Sequence, residues 1–102
     1  MLATITPTNA NNEPLPTVDV LATSLDGRLA IHRSIDRDGY SLTHIPTGAA
    51  IRIGIVSYDD AETALIDLEG EDWNFKVPHS RKFKRNKARI WGYVKNIPIH
   101  TH

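Results

Sequence analysis

The fold is decided by residues 40–69, which read YSLTHIPTGAAIRIGIVSYDDAETALIDLE. The first half of this stretch alternates apolar and polar residues with the period of a strand, and Pro46-Thr47-Gly48 interrupts the alternation with turn-forming residues. After Ser57 the apolar residues recur at the spacing of a helix instead. The stretch therefore predicts a strand, a turn, a second strand and a helix in succession.

The predicted helix covers residues 58–69. Ser57 is a suitable N-cap, and the acidic Asp60 three positions later gives a capping-box pattern. The apolar stripe of this helix consists of Ala61, Ala64, Leu65 and Leu68. Gly70 follows the last turn, as glycine commonly does at the C-terminal end of a helix. We expect this helix to lie across the apolar face of a sheet.

Two Asp-Gly pairs upstream indicate further turns. Asp26-Gly27 separates two alternating segments, 17–24 and 28–35, and this pair is favoured in hairpins because both central residues need positive φ. Asp38-Gly39 closes a second turn of similar chemistry. Together with the turn at 46–48, these two turns join four predicted strands into a meander. We predict an α+β fold: a four-stranded antiparallel meander, one amphipathic helix packed on one face, and a basic C-terminal strand or short helix.

The C-terminal segment fits two local structures. The spacing of a helix is matched by Phe83, Ile90, Trp91 and Val94. Aromatic and β-branched residues around Gly92 favour a strand at 88–95 instead. Either element ends at Pro98, because proline lacks the backbone donor that would continue it.

Length and composition predict one domain without disulfides. A chain of 102 residues matches a single domain. Three prolines in residues 1–16 predict an extended N-terminal arm, residues 17–98 form the α+β domain, and residues 99–102 are a frayed terminus. The lack of cysteine excludes disulfides and favours a cytoplasmic location. No apolar run is long enough to span a membrane, so no membrane partner is expected.

Charge is strongly separated along the chain, although the net charge is zero. Residues 1–72 carry all 12 acidic residues and only four of the 12 basic ones. Residues 73–102 carry the other eight basic residues and no acid. This separation is the main functional lead in the sequence.

The basic segment 76–95 predicts a nucleic-acid interface. Lysine and arginine neutralise backbone phosphates whatever the base sequence, and neighbouring aromatics can stack on unpaired bases. Trp73, Phe75, Phe83 and Tyr93 are nearby candidates for such stacking. The predicted nucleic-acid-binding residues are Lys76, Arg81, Lys82, Lys84, Arg85, Lys87, Arg89 and Trp91. The expected partner is nucleic acid or a nucleoprotein.

Two alternatives give the charges other roles. In the first, the basic tail folds against the acidic helix and neutralises it, which compensates negative charge near the helix C-terminal end. In the second, the protein binds another protein's acidic or basic surface. The acidic helix face or a sheet edge would then form the contact. The residues of that face are Asp67, Glu69, Glu71 and Asp72.

No catalytic or metal site is predicted. His44 has a pKa suited to a general base, but no nucleophile or paired carboxylate stands at recognisable spacing from it. We expect His44 to bond the adjacent turn and His32 to face solvent. The chain has no phosphate-binding loop, dinucleotide fingerprint or zinc-protease motif, so no cofactor is expected. We predict a non-catalytic binding protein.

The segment GYSLTHIPTG at residues 39–48, followed by a strand and the helix start DAETA at 60–64, resembles short uncharacterised proteins of phages and other mobile elements. The resemblance covers residues 39–69 and assigns no catalytic residue. It implies an accessory protein that works by binding. Phage proteins of this size often act on nucleic acids or inhibit host enzymes.

Overall fold

The computed structural model describes residues 4–9, 11, 13–35, 37–71, 73 and 81–100, with the side chains of residues 81–86 excepted. The predicted α+β class is confirmed. The described residues form a four-stranded and a two-stranded antiparallel sheet and two helices. The strands are β1 (Thr4–Ile5), β2 (Val18–Asp19), β3 (Ala22–Thr23), β4 (Leu29–Arg33), β5 (Tyr40–His44) and β6 (Ala50–Ile55). The helices are α1 (Tyr58–Leu68) and α2 (Arg81–Val94).

The larger sheet has the order β3-β4-β5-β6, so each strand pairs with its neighbour in sequence, as the meander predicted. Leu29 pairs with His44 at one end of β4–β5, and Arg33 pairs with Tyr40 at the other. The predicted strand at 17–24 is split in two. Its first part, β2, pairs with β1 in the smaller sheet, while its second part, β3, pairs with β4.

The pairing of β5 with β6 is irregular. The register shifts twice between Tyr40 and Thr43, which breaks the simple alternation expected along β6. Ile55 is fully buried in the core, and Arg52 reaches the backbone that follows α2. The register shifts therefore place the Arg52 side chain of β6 at the C-terminal end of α2.

Residues 98–100 pair along β6. The Val56 amide donates to the Pro98 carbonyl at 3.1 Å, and the His100 amide donates to the Gly54 carbonyl at 2.6 Å. Ile55 and Ile99 form an antiparallel bridge between these bonds. The predicted frayed terminus thus begins with two residues that lie against β6, while residues 101 and 102 lie outside the described residues.

Helix α1 matches its prediction closely. The Ser57 hydroxyl accepts a hydrogen bond from the Asp60 amide at 3.1 Å, which satisfies one of the free donors of the first turn. The buried stripe is the predicted one, namely Ala61, Ala64, Leu65 and Leu68. The C-terminal end differs, because Glu69 caps the helix in a right-handed conformation and Gly70 is not left-handed.

The C-terminal segment is a helix, so of the two local structures left open the helix forms, and the strand favoured at 88–95 does not. Ile90 and Val94, four positions apart, are both buried in the core. A helix needs only this short apolar stripe, and Lys87, Ala88 and Arg89 are better helix formers than strand formers. Tertiary burial of two aliphatic residues therefore overrides the local preference of the aromatic residues for a strand.

The core lies between the large sheet and the two helices. The sheet supplies Leu29, Ile31, Leu42 and Ile55, and the helices supply their apolar stripes. Trp73 also belongs to this core and is only 2% exposed. Its indole Nε1 donates to the Leu68 carbonyl at 2.7 Å. Trp73 is therefore a structural residue, and its predicted availability for stacking on bases is wrong.

Candidate nucleic-acid interface

One flank of α2 carries exposed cations on both sides of an aromatic residue. Lys87 and Trp91 are four positions apart, and Lys95 follows four positions later, directly after the helix. Residues at this spacing lie above one another on a helix surface. All three are exposed, and 52% of Trp91 is accessible. The spacing thus places two ammonium groups along the same line as an accessible indole.

A third cation, Arg52 of β6, lies beside the row formed by Lys87, Trp91 and Lys95. The Arg52 guanidinium lies over the Trp91 ring, with its central carbon 5.2 Å from the ring centroid. Its Nη2 donates to the carbonyls of Lys95 at 3.4 Å and Ile97 at 3.2 Å. Because the last turn of α2 has no basic side chain of its own, Arg52 supplies the positive charge that a helix C-terminus favours. The same contacts hold the guanidinium against the indole.

We call Arg52, Lys87, Trp91 and Lys95 the basic-aromatic cluster. Three of its members are positively charged at neutral pH, and no acidic residue occurs beyond position 72 in the sequence. A cluster of this kind attracts anions, and the exposed indole adds a flat apolar surface. Phosphate and an aromatic ring are the two ligand groups that it is best suited to contact.

The opposite flank of α2 is partly neutralised by the acidic segment. Arg89 Nε lies 3.3 Å from Glu71 Oε1, and the side chains are 68% and 8% exposed respectively. Glu69 is also engaged, since its Oε1 accepts a hydrogen bond from the Leu25 amide at 3.2 Å. Asp67 is exposed on α1. The proposed neutralisation of the tail by the acidic segment therefore applies to Arg89, whereas the basic-aromatic cluster lies on the other flank.

The predicted site residues are distributed as follows. Lys87, Arg89 and Trp91 are all exposed on α2, although Arg89 is paired with Glu71. Lys76 and Asp72 lie outside the described residues. The backbone of α2 includes four more predicted residues, whose side chains lie outside the described part of the structure; they are Arg81, Lys82, Lys84 and Arg85.

Two members of the cluster, Lys95 and Arg52, were not among the predicted site residues, although Lys95 lies in the predicted basic segment 76–95. Lys95 was absent from the predicted set, although its spacing of four from Trp91 is visible once the segment is known to be helical. Arg52 lies 39 positions before Trp91 in the chain, and its approach depends on the irregular register of β6. A single arginine among the isoleucines of β6 is the only local signal for it.

His44 is fully buried and locked by hydrogen bonds on both ring nitrogens. Nε2 lies 2.8 Å from the Trp73 carbonyl and Nδ1 lies 2.8 Å from the Thr47 hydroxyl. A carbonyl can only accept, so Nε2 carries the proton and, in the neutral ring, Nδ1 accepts from Thr47. The predicted bond to the turn is therefore present, and the ring also ties the sheet to Trp73.

His32 is buried as well, and its predicted exposure to solvent is wrong. Nδ1 lies 2.8 Å from the Arg33 carbonyl, so it donates, and Nε2 lies 2.7 Å from the Thr43 hydroxyl. The prediction failed because it assigned one solvated face to the sheet. The residues on this second face are buried too, including Ala30, Ser41 and Thr43.

Burial lowers the pKa of both His32 and His44 below the ordinary value of 6.5, because it disfavours the charged ring. The unfolded chain then binds more protons than the folded one as the pH falls below 6.5. We expect the free energy of unfolding to be highest above that pH and to fall below it. Each histidine can contribute up to about 1.4 kcal/mol per pH unit. Urea unfolding at several values between about pH 5 and pH 8 measures this dependence.

Variants test whether the His32 and His44 rings cause the pH dependence of the free energy of unfolding. His32→Gln and His44→Gln should each reduce the slope of unfolding free energy against pH in this range. His100→Gln is the matched control for removal of an imidazole, because His100 lies outside the core. A wild-type protein whose stability does not change between pH 7 and about pH 5.5 would contradict the prediction.

The described residues contain no group of three or more His, Asp or Glu side chains that could hold a metal ion. Within the same part of the chain, neither helix is long and apolar enough to cross a bilayer. Comparison with protein-family models, with curated proteins and with solved structures gives no match. The functional argument therefore rests on the geometry of the basic-aromatic cluster.

Proposed function

We propose that this protein is a non-catalytic binding protein that contacts nucleic acid, alone or within a nucleoprotein, through the exposed flank of α2. The observation that carries the proposal is the basic-aromatic cluster, in which three cations surround a half-exposed indole. Lys87 and Lys95 are placed to neutralise backbone phosphates, and Trp91 provides a surface for bases or sugars. The other basic residues of α2 add positive charge to the same helix.

Binding through the acidic residues has less support. Glu69 and Glu71 already bond to groups of the same chain. The sheet edges are also partly occupied or short, because residues 98–100 pair with the C-terminal end of β6 and β3 is only two residues long. A protein partner that needed Glu69 or Glu71 would have to displace these bonds, whereas Asp67 is exposed on α1.

The proposal is tested by measuring oligonucleotide affinity against salt concentration. We expect binding to single-stranded or duplex oligonucleotides at low salt to weaken steeply as salt is added. The expected log–log slope is about −0.9 per neutralised phosphate on a duplex and about −0.7 on a single strand. Lys87→Gln and Lys95→Gln should each weaken binding and make the slope shallower by about one phosphate equivalent.

The matched control is Arg33→Gln, which removes the same charge from an exposed position on β4. This variant should bind with nearly the wild-type affinity and slope, because it lies outside α2 and the cluster. Equal losses in all three variants would indicate a nonspecific effect of net charge and count against an interface on α2. No binding by the wild-type protein at low salt would reject the proposed function.

A further inference from the structure

The two faces of the Trp91 ring have different surroundings. Arg52 lies over one face and is held there by the carbonyls of Lys95 and Ile97. At 100° per residue, the buried Ile90 and Val94 lie on the core side of Trp91, while Ala88 and Gly92 lie on its solvent side. Arg52 belongs to β6, so it approaches the indole from the sheet, and Trp91 remains 52% exposed.

The residues of α2 on the solvent side of Trp91 have small side chains. Ala88 and Gly92 are both exposed and too small to cover an indole. Apart from its two chain neighbours and the helix backbone, no described atom lies within 4 Å of a Cβ built on Gly92. Lys87 and Lys95 lie one turn before and one turn after the indole. Among the described residues, the exposed indole therefore has small residues beside it and a positive charge one turn before and one turn after it.

We infer that the protein takes single-stranded nucleic acid, with an unpaired base stacked on the face of Trp91 opposite Arg52; this inference rests on the proposed function. A base in a duplex has both its faces covered by neighbouring base pairs, so only an unpaired base can cover the free face of the indole. Lys87 and Lys95 contact the phosphates on either side of that base. The guanidinium and the base then lie on opposite sides of the indole, and the guanidinium keeps the indole oriented before binding.

The experiment compares three probes on each protein by fluorescence anisotropy at one low salt concentration. The probes are a short oligothymidylate, an abasic oligomer of the same length, and a duplex of that length. We expect wild-type protein to bind oligothymidylate about 5- to 150-fold more tightly than the abasic oligomer, the range for one stacked base. Trp91→Ala should remove this preference, and Trp91→Phe should retain most of it.

The outcomes separate the proposed base stacking from the proposed binding of nucleic acid. Equal wild-type affinity for the first two probes, or an unchanged preference in Trp91→Ala, overturns base stacking while leaving phosphate binding intact. Tighter binding of the duplex than of oligothymidylate also overturns it. Failure of the wild-type protein to bind any probe rejects the proposed function itself. Because the preference is a ratio measured on one protein, partial unfolding of a variant lowers both affinities and does not imitate loss of stacking.

Discussion

Replacing Trp73 with alanine is expected to lower the free energy of unfolding by about 3–5 kcal/mol. The side chain is 2% exposed and packs in the core with the apolar stripes of both helices. Its removal leaves a large cavity and deprives the Leu68 carbonyl of the indole donor at the end of α1. A total stability of about 5–15 kcal/mol is usual for a domain, so this loss is a large fraction of it.

Thermal and urea unfolding measure this loss, and the second tryptophan provides the matched control. Trp91→Ala removes the same atoms from a side chain that is 52% exposed, so we expect a loss of only about 1 kcal/mol. The melting temperature should fall by about 15–30 °C in Trp73→Ala and by less than about 8 °C in Trp91→Ala. Comparable losses in the two variants would contradict the assignment of Trp73 to the core and Trp91 to the surface.

Replacing Gly39 with alanine is expected to cost about 3 kcal/mol or more. Gly39 has a φ of 99°, a conformation that residues with a Cβ rarely adopt. A Cβ at this position would lie 2.5 Å from the Ile55 carbonyl oxygen and 2.9 Å from the Gly54 carbonyl carbon. Both obstacles are backbone atoms, so the substitution must displace β6 from the turn that leads into β5.

Gly27→Ala separates backbone strain from this steric clash. Gly27 lies in the turn between β3 and β4, has a φ of 71°, and has no atom within 4 Å of the position of a Cβ. Its substitution carries only the conformational cost, about 1–2 kcal/mol. Urea unfolding of the two variants should therefore show a loss at least about twice as large for Gly39→Ala. Equal losses would show that β6 does not approach the turn closely.

The three turns and α1 were predictable because short-range chemistry specifies them. Asp26-Gly27 and Pro46-Thr47-Gly48 require backbone conformations that these residues readily adopt. Ser57 caps α1 through a bond to a residue three positions away. Each of these interactions is complete within a few residues, so the local sequence carries the information needed to predict it.

The preference for a strand in the C-terminal segment was wrong because the local sequence is also compatible with a helix. Ile90 and Val94 decide for a helix only because the core offers a place for that stripe beside α1 and the sheet. His32 was misjudged for a related reason, since alternation along β4 shows which residues share a face and does not show what covers it. Both errors concern packing partners distant in the chain.

The sequence alone determined the α+β class, the order of the four main strands, the cap and apolar stripe of α1, and the concentration of basic residues after position 72. Tertiary structure decided which of the two tryptophans is exposed, which cations are neutralised, and that Arg52 meets Trp91. Local periodicity and turn chemistry depend on neighbours in the chain, so they can be inferred from residue order. The basic-aromatic cluster depends on a register shift in β6 and on the docking of α2, which are set only when distant segments pack together.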